Sequence, residues 1–133
     1  MASVNSIRDT FFEECEELLE ALSEGLARME AGTRDSETVN AVFRAVHSIK
    51  GGAGAFALAD LVAFAHRFET VLDEVRSGRI ELDTDGFHMM FRSADHLSEL
   101  VAAARSGAPI AAGVTLAFIV ALDDCLDDHD IDP

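Results

Sequence analysis

The residues best suited to chemistry lie in the stretch Val46-His47-Ser48-Ile49-Lys50-Gly51-Gly52-Ala53-Gly54, where an imidazole is followed closely by an ammonium and three glycines. On a helix the apolar side of this segment centres near Val39, Val46 and Ala53, which leaves His47 about 100° away, at the edge of the solvent side. A reachable imidazole can act as a nucleophile that takes up a transferable group. Lys50 can offer its charge to an anion held on that ring, although a lone exposed lysine is most often simply solvated. Gly51 at i+4 and Gly54 at i+7 share the side of His47, and each glycine inside a helix costs roughly 0.5–1 kcal/mol relative to alanine. Gly51, Gly52 and Gly54 therefore call for a reason. Either the missing side chains bare the backbone so that another protein's active site can close over the ring, or the helix packs closely or ends here. Spacing alone leaves both readings open.

His66 and Glu69 form the second candidate group. Three residues apart and off the apolar stripe of their segment, they share a polar face that could meet His47. There Glu69 would accept a hydrogen bond from Nδ1–H of His47, leaving Nε2 free and steadying the cation formed when Nε2 is substituted. The plainer alternative, which spacing by itself favours, is an ordinary surface pair worth about 0.2–0.5 kcal/mol.

Such side chains need helices to hold them, and the chain is patterned for helices throughout. In the first segment Phe11, Cys15, Leu18, Leu22, Leu26 and Met29 recur at three- and four-residue spacing, with Glu13, Glu14, Glu16, Glu17, Glu20 and Glu24 between them. A long amphipathic helix ending near Gly32 is expected. After the polar break Thr33-Arg34-Asp35-Ser36, with Asp35 or Ser36 as N-cap, Val39, Val42, Phe43, Val46, Ile49 and Ala53 give the apolar face of the helix that carries His47. Leu61, Phe64, Phe68, Val71, Leu72 and Val75 mark a third helix, closed by Ser77-Gly78. Asp83 or Thr84 caps a fourth, with Phe87, Met90, Phe91, Ala94, Leu97 and Val101 inward and Gly107-Ala108-Pro109 ending it. A fifth is expected over roughly Ala112 to Leu126. The acidic tail at 127–133, too polar to pack, reads as the start of a linker. The expected fold is all-α, an antiparallel four-helix bundle with an additional C-terminal fifth helix, forming one domain over 1–126.

Composition narrows the functions available. With 25 acidic against 10 basic residues the formal net charge is -15, which repels phosphate backbones and anionic lipid and excludes nucleic acid as an expected partner. Cys15 and Cys125 match no metal-ligand spacing and read as two reduced thiols. The N-terminus has neither a basic start nor an apolar run, so no secretory signal is expected and the cytoplasm is the expected compartment. Ala108 to Leu122 is uncharged but short and interrupted by Pro109 and Gly113, so no membrane insertion is expected. No P-loop or dinucleotide fingerprint occurs, because Gly51-Gly52-Ala53-Gly54 follows a helical pattern rather than a strand.

The run Phe43-Arg44-Ala45-Val46-His47-Ser48-Ile49-Lys50-Gly51-Gly52-Ala53-Gly54-Ala55-Phe56 closely resembles the phosphoacceptor helix of histidine phosphotransfer (HPt) domains of CheA-type chemotaxis kinases, whose signature reads H-S-I-K-G-G-A-G-x-F. The resemblance continues through Ala65-His66-Arg67-Phe68-Glu69, through Leu72 to Gly78 and through Phe11 to Leu19, and it covers the chain to about residue 126. It implies that His47 is the phosphorylated histidine, that Glu69 and His66 belong to its hydrogen-bonding network, and that Lys50 lies beside the phosphate. Ala55 and Ala57-Leu58 depart from the Thr and Gly-Phe that the family often has there.

The function implied is that of a phosphoryl carrier in a two-component chemotaxis pathway. His47 would take the γ-phosphoryl of ATP from a separate histidine-kinase catalytic domain, in cis or in trans, and pass it to an aspartate of a response regulator of the CheY or CheB type. ATP and Mg²⁺ would be used by the kinase domain, with no cofactor in this chain. Gly51, Gly52 and Gly54 would form the docking side. Two rivals stand beside this reading. One is a metal-binding bundle using His47, His66 and Glu69, although the paired Glu-x-x-His motifs of di-iron bundles do not occur. The other is an adaptor that docks helices without chemistry.

Overall fold

Local signals set where the helices begin and end. Asp35 opens one of them by accepting a hydrogen bond from the backbone N–H of Thr38 at 2.7 Å, and Asp83 opens another through Gly86 at 2.7 Å. Each cap satisfies a backbone donor that has no partner inside the helix. Gly107 ends the helix before it with a left-handed φ of 77°, and Pro109 follows, which prevents the helix from resuming. The computed structural model describes residues 4–130, as α1 (Val4–Glu30), α2 (Ser36–Ala55), α3 (Ala59–Arg76), α4 (Thr84–Ser106) and α5 (Ala112–Asp130).

Helices α1 to α4 close a ring in which α1 packs on α2 and α4, and α3 packs on α2 and α4, while α5 lies outside against α3 and α4. This is the all-α bundle with a fifth helix that the periodicity implied. The interior holds Phe12, Leu22, Leu26 and Met29 of α1, Val42, Val46 and Ile49 of α2, Phe64, Phe68 and Leu72 of α3, Met90 and Leu97 of α4, and Leu122 of α5. Each large apolar side chain buried there contributes about 1.5–3 kcal/mol relative to exposure. Cys15 is buried among them as a free thiol, and burial, with the charge of Glu14 adding to it, pushes its pKa up to about 11. Among the described residues no helix is long and apolar enough to cross a membrane.

Two details differ from the sequence reading. The inward face of α2 is Val42, Ala45, Val46, Ile49 and Ala53, while Val39 and Phe43 are only half-buried. The reason is that α2 must face α1 and α3 at once, and α1 comes very close: a Cβ on Gly25 would lie 2.4 Å from Val42 Cγ2. Second, α5 continues to Asp130 rather than stopping at Leu126, because once a helix is nucleated each further residue adds a backbone bond with or without apolar contacts. Of the acidic tail, residues 131–133 lie outside the described residues, as do residues 1–3 of the N-terminus in which no secretory signal is expected. Ala57, in the link from α2 to α3, has a φ of 55°, a left-handed conformation that suits glycine better than alanine.

Candidate functional site

The site is built on the face shared by α2 and α3. On α2, Phe43, His47 and Lys50 fall at i, i+4 and i+7, so they line one side of the helix. On α3, Glu69, Asp73 and Arg76 do the same. The two rows meet in opposite directions: Lys50 and His47 reach Glu69, while Phe43 reaches Arg76.

Glu69 is the centre of the arrangement. Its Oε2 lies 2.8 Å from Nδ1 of His47, and its Oε1 accepts a hydrogen bond from Nζ of Lys50 at 3.0 Å. Burial raises the Glu69 pKa, but the hydrogen bonds and charges of Lys50 and His47 outweigh it and hold the carboxyl below the usual range. Glu69 is therefore ionised near neutral pH, and an ionised carboxylate can only accept hydrogen bonds. Nδ1 of His47 must carry the proton, which leaves the lone pair on Nε2. The geometry thus selects one tautomer and points the nucleophilic nitrogen away from the carboxylate.

Exposure follows the same division. The Glu69 side chain is only 13% exposed and Lys50 23%, whereas His47 is 59% exposed. The anchoring groups are sheltered, and the ring is offered to solvent. Lys50 is tied to Glu69 rather than free, but an ammonium has three N–H donors, so two remain for an anion on the ring.

His66 is not brought into this group. It lies exposed on α3, its backbone carbonyl accepts a hydrogen bond from Thr70 Oγ1 at 2.9 Å, and among the described residues its ring makes no hydrogen bond or ion pair. The three glycines also separate. A Cβ on Gly51 or Gly54 would meet nothing within 4 Å, whereas one on Gly52 would lie 2.3 Å from Cε1 of Phe11. Gly52 lets α1 approach α2 and is a packing glycine, not part of an open surface; only Gly51 and Gly54 leave the backbone beside His47 bare.

Two neighbours escaped the sequence reading. The Phe43 ring lies 5.8 Å from that of His47, tilted by only 13°, and the Arg76 guanidinium sits 3.9 Å over the Phe43 ring. The Phe43/His47 spacing of four residues is the signal in the sequence; the apolar pattern points Phe43 to the core, against which it is indeed partly packed. A cleft of about 700 Å³ at the far end of α2 and α3, lined by Arg34, Asn40, Arg76, Arg79 and Phe87 among others, does not include His47. Among the described residues no group of three His, Cys, Asp or Glu side chains is arranged to hold a metal ion.

The family model described as Hpt domain matches residues 6–107. Over 104 residues the chain is 62% identical to the chemotaxis protein CheA of Rhizobium meliloti (strain 1021), a match covering 78% of this chain and 14% of that protein. Over 110 residues it is 56% identical to CheA of Cereibacter sphaeroides, covering 80% and 16%. The chain therefore spans a small fraction of the length of these relatives. Among solved structures it resembles the CheA phosphotransferase domain of Thermotoga maritima, with 29% identity and a TM-score of 0.68 over 75% of this chain and 95% of that one. It also shares the fold of the phosphorylated P1 domain of CheA3, solved in complex with CheY6 from R. sphaeroides, at 23% identity and a TM-score of 0.83 over 94% and 98% of the two chains.

Proposed function

The chain belongs to the Hpt domain family, and from that membership and the geometry around His47 we propose that it carries a phosphoryl group in chemotaxis signalling, with His47 as the acceptor. The observation that carries this reading is the exposed imidazole whose Nδ1 is held by the sheltered, ionised Glu69. The Nε2 lone pair forms a bond to the γ-phosphorus of ATP bound to a separate histidine-kinase domain, as the bond from phosphorus to the bridging oxygen breaks and ADP leaves. The ring then bears a positive charge beside its N–P bond, and Glu69 balances it through Nδ1–H. The free donors of Lys50 face the added anion, whose charge is about -1.5 to -2 if it resembles that of phosphorylated hydroxyls.

In the second step an aspartate oxygen of a CheY- or CheB-type response regulator forms the new P–O bond, and the N–P electron pair returns to Nε2. Positioning and charge neutralisation, which dominate phosphoryl transfer, come mostly from those partners and from the Mg²⁺ they hold. The domain itself is a relay that other proteins load and unload, working in the cytoplasm, where thiols such as the buried Cys15 stay reduced.

The test incubates the protein with a CheA kinase core and γ-labelled ATP. Acid-labile, base-stable label is expected, absent in His47→Gln and chased onto an added response regulator. Label retained in His47→Gln overturns the proposal.

A further inference from the structure

One hydrogen bond does not orient a ring. With Nδ1 held by Glu69 alone, the imidazole of His47 can still swing about that contact, and the direction of the Nε2 lone pair swings with it. In-line attack on phosphorus requires that direction to be set. The structure supplies a second point of contact. The Phe43 ring lies nearly parallel to the imidazole, with centroids 5.8 Å apart and planes 13° apart, so that a flat apolar wall limits the tilt of His47.

Phe43 is itself held in place. The Arg76 guanidinium lies 3.9 Å from the centre of its ring, within the range of a cation–π contact, and Arg76 is steadied by an ion pair with Asp73 at 2.5 Å. Arg76 stands seven residues after Glu69 on the same side of α3, so one helix face holds the imidazole through Glu69 and the phenyl ring through Arg76. Phe43 is half-buried, packed against the edge of the core, and Arg76 is exposed.

We propose that Phe43 and Arg76 are positioning residues for phosphoryl transfer, forming with Glu69 a two-point clamp in which the carboxylate selects the tautomer of His47 and the stacked pair sets the plane of its ring. The proposal rests on the reading of His47 as phosphoacceptor. Removing the wall leaves the nucleophile intact and its binding partners unchanged. It lowers the fraction of time for which Nε2 points along the line of attack, and so acts on kcat rather than on KM.

The experiment compares Phe43→Leu, Phe43→Tyr and Arg76→Ala with the parent protein as substrates of the kinase core, alongside three-bond NMR couplings from Hβ to ring Cδ2 and Nδ1, which report the χ2 rotamers, and so the ring plane, of the unphosphorylated His47. Phe43→Leu is expected to average those couplings and to lower kcat about 10-fold with KM little changed. Phe43→Tyr, which restores the flat face, returns both towards the parent values. Arg76→Ala shifts both in the same direction by less, and because Arg76 is exposed this variant keeps the test alive if Phe43→Leu fails to fold. Couplings in the folded variants that stay at single-rotamer values, or a kcat that does not fall, overturn the clamp. The NMR measurement needs no kinase, so label persisting in His47→Gln would sink the carrier reading while leaving the clamp separately testable.

Discussion

Gly51 and Gly52 are adjacent on one helix, yet substitution by alanine is expected to move stability in opposite directions. An added Cβ at Gly52 would lie 2.3 Å from Cε1 and 2.5 Å from Cδ1 of Phe11. Carbon atoms settle at about 3.5–4.0 Å, so the Phe11 ring has to withdraw by roughly 1.2 Å or more. It has little room, being 8% exposed and wedged against Phe12 and Phe56 at centroid distances of 5.1 and 5.4 Å. Overpacking of this kind costs about 1–3 kcal/mol. At Gly51 the new methyl meets nothing within 4 Å, and the helical preference of alanine contributes roughly 0.8–1 kcal/mol of added stability. The preference is common to both variants and cancels in their difference, which isolates the overpacking as about 1–3 kcal/mol. With about 2.1 cal/mol/K of unfolding entropy per residue over 133 residues, each kcal/mol is worth roughly 3.6 °C. Gly51→Ala should therefore melt roughly 4–11 °C above Gly52→Ala when followed by far-UV circular dichroism. The same Gly51→Ala, with its methyl beside His47, should be the slower substrate for the kinase despite being the more stable protein. Equal melting temperatures would refute the assignment of Gly52 to packing.

Glu69→Gln, which removes the charge opposite the imidazole and leaves Lys50 without its anion, should slow labelling of His47 about 10–100-fold in initial-rate assays. Lys50→Ala should slow it less, and His66→Ala less again, because both hydrogen bonds to Glu69 survive in the latter. Burial depresses the pKa of His96 from its ordinary 6.5, and the Glu99 carboxylate only partly offsets this, so the ring is neutral when folded and protonates first in the unfolded chain. Stability should accordingly fall as pH drops below about 6.5 towards the folded pKa, and His96→Gln should flatten that slope in urea titrations compared at each pH. Ala57→Gly relieves a left-handed alanine at φ 55° and should add about 1 kcal/mol, read as a rise of roughly 3–4 °C in Tm.

Much of this protein is written locally. The caps at Asp35 and Asp83, the left-handed Gly107 and the three- and four-residue apolar spacing specify helices wherever the chain folds, because each signal acts within one or two turns. The exposure of His47 follows from the same periodicity, since a residue about 100° from the buried face cannot be enclosed by it. What the linear pattern could not decide was how α2 turns and slides against its neighbours. That rotation separated Gly51 from Gly52, adjacent in sequence but 100° apart around the helix, so that one is open and the other lies under Phe11. It set Phe43 at the edge of the core, where its ring also meets His47 and Arg76. The register of α2 on α3 joined Glu69 to both His47 and Lys50 and left the ring of His66, three residues earlier, outside. Helix formation depends on neighbours in the chain, whereas register depends on the shapes of two packed faces, to which Gly25, Gly52 and the phenylalanines of all the contacting helices contribute together.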